Sequence, residues 1–272
     1  MISPGSASSR AQDTRLSKNN LDRVAVCIPA YNAEATICRA LQSVLRQTMP
    51  PVRIIVVDDC SLDNTACQIE KMVAIDHRIE LIRNQQNEGP AKCRQIAIER
   101  ALGLDGVTYV AFLDSDDEWF PEKLEKQLTF MRRQAAPVSF HAYEEDRAGL
   151  RSKSFLGHPR EISLSYFLIH RQFGLCLSGM LHRSVAQELD FGEYSKQSIA
   201  EDLSYFIDAI SLSGRAVFLP ELLGRYYRSP HSRSHRKGHA AAQVFSIYVD
   251  RFGFFPGVCR WVAYCWNSLR RQ

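Results

Sequence analysis

The chain has 272 residues, 45% of them hydrophobic and 24% charged, enough to enclose the core of one large α/β domain or two modest ones. A formal charge of +4, from 34 basic and 30 acidic residues, is too small to argue for nucleic acid as the main partner. No N-terminal apolar h-region and no run of 18 apolar residues occur, so neither a signal peptide nor a transmembrane helix is expected. Residues 1–22, polar and Ser-rich, read as a disordered lead-in. The eight cysteines form no C-x-x-C pair and several fall in apolar periodic segments, the pattern of free thiols in a reducing compartment.

In chain order, VAVCI (24–28) reads as a buried strand, and Ile37, Ala40, Leu41, Val44 and Leu45 then repeat at helical spacing. RIIVV (53–57) is a second strand, followed by a helix that Asp63 can cap, with Ile69, Met72 and Val73 on one face. IELI (79–82) is a third strand, and a helix runs from about Pro90 to Leu104 with proline at a permitted first-turn position. VTYVAFL (107–113) is the fourth strand. Strands separated by helices of this length predict βαβ units and a Rossmann-like, mostly parallel central sheet flanked by helices.

Ligands of such sheets bind outside the carboxyl ends of the strands. The polar clusters PAYNAE (29–34), DDCSLDN (58–64), NQQNEG (84–89) and DSDDEW (114–119) all follow strands, so they are expected on one rim as a binding site. In the last of them, Asp114 as the first residue of a calcium loop puts Asp116, Glu118 and Glu125 at ligand positions. Trp119 then stands where the sharp turn requires glycine, which excludes that loop. An open site remains: Asp114 and Asp116, two residues apart at a strand end, project to one side and hold Mg²⁺ or Mn²⁺ incompletely, leaving positions for phosphate oxygens. Asp117 is expected to cap or support the helix that starts near Pro121.

VAVCIPAYNAEATICRALQSVLRQT, RIIVVDDCSLDNT, NEGPAKCRQIAI and VAFLDSDDEWFPEKL, in that order and spacing, resemble the family 2 inverting glycosyltransferases over about residues 24–130. The resemblance implies a single-domain A-type glycosyltransferase fold that moves a sugar from a nucleotide-sugar donor to an acceptor hydroxyl, usually with a divalent cation. It further implies that Pro29, Ala30, Tyr31 and Glu34 line the nucleoside pocket, with Tyr31 either against the base or packed in the core. Asp59 matches the aspartate that accepts from the uracil N3–H, with Asp58 either beside it or capping the following turn. Arg94 matches a basic position near the nucleotide, or is a solvated helix residue. Asp114 matches an acid near the ribose, with Ser115 beside it, and Asp116 the metal ligand.

The second half reads as the acceptor side, with 23–130 as the nucleotide half and 131–250 as the acceptor half of one domain. VSFHA (138–142) is a strand, EEDRAGLRSKSF a mobile loop, ISLSYFLIH (162–170) a short helix and LCLSGMLHR (175–183) a strand. IAEDLSYFIDAISLSG (199–214) is a helix with Leu203, Phe206, Ile207 and Ile210 on one face. Acids in a first turn are favoured by the helix dipole alone. The family has a Glu-Asp pair here, however, whose aspartate is the general base, which implies Asp202 as base with Glu201 as the fallback. RAVFLPELLGRYYRSPHSRSHRKGH (215–239) is expected to give two short strands and a basic loop. That loop resembles the family's Tyr-Arg-His loop over the diphosphate and adds His231 as a metal ligand, with Arg228, Arg233 and Lys237 offsetting charge; Pro230 precedes His231 here rather than following it. In the tail 251–272, Phe254, Trp261 and Trp266 mix with Arg260, Arg270 and Arg271, as suits either a membrane surface or a core-packed helix.

These readings converge on a metal-dependent glycosyltransferase, cytoplasmic or peripheral to the inner membrane face, with a UDP-linked donor and a cell-surface or lipid-linked glycan as acceptor. The alternatives are a catalytically inactive nucleotide- or glycan-binding module and a sugar nucleotidyltransferase. The latter typically opens with a Gly-rich loop after strand one, and PAYNAE has no glycine. A phosphoaspartyl hydrolase places its D-x-D on the first strand, whereas here it follows the fourth.

Overall fold

The uninterrupted apolar runs fold as strands whose side chains alternate between two buried faces. In the computed structural model, which describes residues 22–154, 156–170, 173–194, 201–228 and 237–269, β1 (Arg23–Ala30) sends Val24, Val26 and Ile28 into one hydrophobic cluster and Ala25 and Cys27 into another. β2 (Arg53–Asp58) divides likewise, with Ile54 and Val56 opposite Ile55 and Val57. A sheet covered on both sides requires such runs. The covering helices α1 (Ile37–Leu45), α2 (Thr65–Ile75) and α3 (Pro90–Leu102) alternate with β3 (Ile79–Arg83) and β4 (Val107–Phe112). The four strands pair in parallel in the order β3-β2-β1-β4, as their spacing predicts.

Beyond β4 the chain continues through β5 (Glu118–Trp119), α4 (Lys123–Gln134), β6 (Val138–Arg147), β7 (Leu150–Lys153) and β8 (Glu161–Ile162). Next come α5 (Leu164–Ile169), α6 (Leu175–Ser178), β9 (Met180–His182), α7 (Arg183–Ala186), a 3₁₀ turn (Phe191–Tyr194) and α8 (Glu201–Ser213). β10 (Ala216–Tyr227) precedes two helices of 16 residues each, α9 (Lys237–Phe252) and α10 (Phe254–Leu269).

Several segments differ from expectation. Within the segment expected as a loop, EEDRAGLRSK is a β-hairpin: β7 pairs antiparallel with the end of β6, and Ala148 and Gly149 both take positive φ in the turn. LCLSGMLHR is a one-turn helix followed by a three-residue strand, because Ser178 is held by the Phe173 carbonyl before Met180 enters the sheet. RAVFLPELLGRYY is one strand with register shifts on either side of Leu222 rather than two strands, since Pro220 cannot donate to the ladder.

The extended sheet order is β3-β2-β1-β4-β9-β6-β10-β5. β9 is antiparallel to both β4 and β6, and β10 is parallel to β6. β6 and β10 therefore run in the same direction as β4, and the carboxyl ends of six strands share one rim. α8 is fixed against that sheet by aromatic contacts: Phe206 packs on Phe112 and Phe140 at ring-centroid distances of 5.9 and 5.1 Å, and Tyr205 stacks on Phe191 at 4.1 Å. Both α8 rings are fully buried, each contributing roughly 2–3 kcal/mol by transfer from water. α9 and α10 form a hairpin packed on α5, drawn close because Gly257 lacks a Cβ that would meet the Tyr248 carbonyl oxygen at 2.7 Å. No helix among the described residues is long and apolar enough to cross a membrane.

Candidate functional site

The loops after β1, β2 and β3 interlock. Asn32, held at φ 49°, donates its N–H to Ser61 Oγ at 2.9 Å and accepts the Leu62 N–H at 2.8 Å. Glu34 Oε2 accepts both the backbone N–H and the side-chain amide of Asn64, at 2.9 and 3.0 Å. Asp63 precedes the N-cap, Asn64, rather than capping α2 itself; its Oδ1 accepts the Thr65 N–H at 2.9 Å, and its Oδ2 accepts the Glu34 N–H at 3.1 Å. Burial pushes the Asp63 carboxyl up, but hydrogen bonds from the Thr65 hydroxyl, the Thr65 N–H and the Glu34 N–H outweigh it and hold the group below its usual range. Glu34 is thus engaged in shaping the rim.

Pro29 and Ala30 end β1 as buried floor, paired with Val57 and Asp58. Tyr31 is 46% exposed at the lip instead of packed in the core. Asp59 accepts three hydrogen bonds from the loop after β3: Asn84 Nδ2 at 2.8 Å, Glu88 N–H at 2.9 Å and Gly89 N–H at 2.8 Å. The Cys93 thiol also bonds to it, so Asp59 uses about all four of a carboxylate's acceptor positions to organise this loop. Asp58 is fully buried and caps no turn; neither of its oxygens has a hydrogen-bond partner, and Arg83 Nε stands 3.9 Å from Oδ2.

The turn after β4 is clamped from three sides. Arg39 donates from Nη2 to the Asp116 carbonyl at 2.5 Å while its guanidinium lies 3.8 Å from the Tyr227 ring centre. Ser43 Oγ accepts the Trp119 N–H at 3.1 Å, and Trp119 Nε1 donates to the Leu177 carbonyl at 2.8 Å. Asp117 does not cap α4. It is buried, accepts the Tyr227 N–H at 3.0 Å and so ties the turn to β10. Burial, reinforced by the charges of Asp116 and Asp114, pushes its carboxyl well above the usual range. Asp114, Ser115 and Asp116 are half-buried at the surface of the turn.

Arg94, on α3, is not solvated: it is 4% exposed. Its Nη2 donates to Asp114 Oδ1 at 2.6 Å, and its Nη1 lies 3.6 Å from Glu201 Oε1. The turn after β4 and the first turn of α8 are thereby joined through one guanidinium. Glu201 is buried, whereas Asp202 is half-buried and lines a cleft of about 390 Å³ together with Asp114 and Asp117. Cys176 sits among these groups. Burial pushes its thiol well up, Arg94 opposes this, and Asp114, Asp202 and Glu201 add to it. The same cleft is closed by Tyr143, Glu145, Arg147 and Arg228 from β6 and the end of β10. Its size is in the range of small-ligand sites. Gly174, at φ 57°, lies on the cleft wall, where a Cβ would meet the Tyr143 ring at 2.8 Å.

Sequence reasoning overlooked Arg39, Glu145 and Arg147. The signal for Arg39 was its place on α1 facing the DSDDEW loop. Glu145 and Arg147 lay in a polar stretch whose strand character appears only when β7 pairs with it. His231 and Arg233 lie outside the described residues.

The donor set suits a hard divalent cation: Asp114 and Asp116 present carboxylate oxygens on one turn, and the buried Asp117 Oδ2 beside them has no partner. Among the described residues no group of three or more His, Cys, Asp or Glu is assembled for a metal.

Comparison with known proteins accords with this geometry. The sequence model of glycosyl transferase family 2 matches residues 25–189. The chain is 32% identical over 252 residues to TuaG of Bacillus subtilis, a protein named as a teichuronic acid biosynthesis glycosyltransferase, covering 92% of this chain and 97% of that one. It is 33% identical over 171 residues to WfgD of Escherichia coli, named as a UDP-Glc:alpha-D-GlcNAc-diphosphoundecaprenol beta-1,3-glucosyltransferase, covering 62% and 63% of the two chains. The fold is similar to the crystal structure of S. aureus TarS 1-349 in complex with UDP, with a TM-score of 0.67 at 22% identity over 84% of this chain and 65% of that one.

Proposed function

The chain belongs to glycosyl transferase family 2, and on that footing we propose that it moves a sugar from a UDP-sugar to a hydroxyl of a lipid-linked glycan, with Asp202 as the general base. The observation that carries this reading is the cleft that Asp114 and Asp202 line together, with Arg94 joining their two elements. Uridine is supported by Asp59, an acid directly after β2 where the family resemblance expects the uracil-reading aspartate, and by the exposed Tyr31 at the lip, a ring available for stacking.

Asp202 is the acid of its pair that reaches the cleft; Glu201 is buried beside Arg94 and orients that guanidinium. The first turn of α8 favours the carboxylate form of Asp202 by its dipole, so the base stands ready to accept the proton of the attacking acceptor hydroxyl. That hydroxyl attacks the donor C1 from the face opposite the leaving nucleoside diphosphate, inverting the anomeric centre. Mg²⁺ or Mn²⁺ held by Asp116 with Asp114 would offset the negative charge that builds on the departing diphosphate. Arg94 keeps Asp114 in place at this end of the cleft.

A lipid-linked acceptor is supported by α10. At 100° per residue, Phe255, Cys259, Val262 and Trp266 fall within about 60° of one another, and all four are exposed. Trp261 and Tyr264 face inward instead, Trp261 against Phe245 at 5.3 Å, so the helix packs on the body and presents an apolar stripe as well. Such a stripe suits the surface of the inner membrane leaflet.

Thermal denaturation with a panel of nucleoside diphosphates and nucleotide-sugars, with and without Mn²⁺, tests the donor assignment. UDP at a hundred times its Kd should add about 2.7 kcal/mol of stability. Stabilisation by GDP or ADP but not UDP would overturn the uridine reading.

A further inference from the structure

The β6–β7 hairpin and the end of β10 bring to the cleft two guanidiniums that proton transfer at Asp202 does not use. Arg147 closes β6 and Arg228 follows β10. Arg147 donates to Glu145 twice, Nε to Oε1 at 2.9 Å and Nη2 to Oε2 at 3.2 Å, and Arg228 Nη1 donates to the same Oε1 at 3.0 Å. Burial pushes the Glu145 carboxyl up, but the two arginines outweigh it and hold the group below its usual range. Two cations on one carboxylate leave the trio net positive. Arg147 spends two of its five N–H donors on Glu145 and its side chain is 58% exposed, so three donors are left for a second anion. The backbone beneath is rigid: Arg228 N–H donates to the Asp146 carbonyl at 2.8 Å, and Asp146 Oδ1 accepts the Gly149 N–H at 2.8 Å in the hairpin turn.

Topology decides which end of the cleft this is. The nucleoside loops belong to β1, β2 and β3, on one side of β4. The trio belongs to β6 and β10, across β9 on the other side of β4, yet on the same rim. Asp114 and Asp202 line the cleft that the trio also lines.

We propose that Arg147 and Arg228, aligned on Glu145, form an anion subsite that binds a phosphoryl group of the acceptor. The inference rests on the glycosyl-transfer reading above and specifies its acceptor: a glycan carried on a phosphate or diphosphate, with the guanidinium forks on tetrahedral oxygens. Glu145 is the positioning residue, holding both forks in register while no phosphoryl group is bound. The same chemistry could instead serve the donor diphosphate, and the test separates the two sources.

Protein saturated with UDP and Mg²⁺, so that the donor site is filled, is titrated calorimetrically with farnesyl diphosphate and, in parallel, with farnesol. Wild type should bind the diphosphate, and Arg147→Ala should bind it at least tenfold more weakly while its UDP affinity stays within twofold and its response to farnesol is unchanged. Arg147→Lys, which keeps charge but loses the fork, should fall between. Equal binding of farnesyl diphosphate by wild type and Arg147→Ala, or no binding by the UDP-loaded wild type, overturns the subsite. Weakened UDP binding in Arg147→Ala with farnesyl diphosphate unaffected assigns these arginines to the donor and overturns it as well. Failure of wild type to bind UDP at all would instead strike at the donor reading itself.

Discussion

Arg94 Nη2 stands 2.6 Å from Asp114 Oδ1, so a guanidinium on α3 fixes the first acid of the turn after β4. The other arm of the same guanidinium lies 3.6 Å from Glu201, at the start of α8. Removing this buried guanidinium takes its charge from the buried Glu201 and the half-buried Asp114, a loss of up to about 3–5 kcal/mol. Arg94→Ala should therefore unfold at markedly lower urea concentration and lose transfer. Arg94→Lys should recover part of the stability but little activity, because one ammonium cannot span both acids. A variant at either substitution with wild-type melting would remove Arg94 as the link.

Asp202→Asn keeps the shape of the first turn of α8 and removes its proton acceptor. The turnover number should drop by about 10²–10⁴, with metal-dependent UDP affinity preserved. Substantial residual turnover would transfer the role to Glu201.

For Asp116→Ala, UDP titrations should show weaker binding in Mn²⁺ and no difference from wild type in EDTA. Equal UDP affinity of mutant and wild type in Mn²⁺ would take Asp116 out of the metal site.

His141 offers a pH readout remote from the rim. It is fully buried, and desolvation, aided by the charge of Lys123, lowers its pKa to about 3. The unfolded value is about 6.5, so the unfolded chain takes up a proton that the folded chain refuses. Stability should be complete above about pH 6.5 and decline as the pH falls toward 3. Urea midpoints measured from pH 7 to pH 4 should fall more steeply for wild type than for His141→Leu. Parallel curves would mean that His141 carries no such coupling.

The apolar stripe on α10 is testable without disturbing the body of the domain. Replacing Phe255, Val262 and Trp266 together by serine should abolish sedimentation with liposomes and leave the melting temperature nearly unchanged, since all three are exposed. Undiminished liposome binding would leave the stripe without a membrane role.

The first half of the chain was legible because its physics is local. β1, β2 and β4 are buried on both faces, so their apolar runs admit one reading, and the helices between them carry their own periodicity. The polar clusters after each strand followed from the direction that a parallel sheet imposes. The second half was harder. EEDR looks like a loop and is strand, because β7 supplies partners that no local rule reveals. Asp117 looks like a helix cap and instead binds the Tyr227 N–H across a long sequence gap.

By itself, the sequence determined the parallel sheet, the rim of polar loops and the acids that deserved attention, because alternation, spacing and turn chemistry act over a few residues. Only the tertiary structure decided where each acid sits and what it touches. Glu201 and Asp202 are adjacent in sequence and equivalent by composition, yet burial beside Arg94 commits the first to an ion pair and leaves the second in the cleft. Asp59 and Asp58 part in the same way, the first holding the loop after β3 with its carboxylate and the second keeping its carboxylate buried without a hydrogen bond. The surroundings of a carboxylate decide its role, and those surroundings come from strands and helices that meet only in the folded chain.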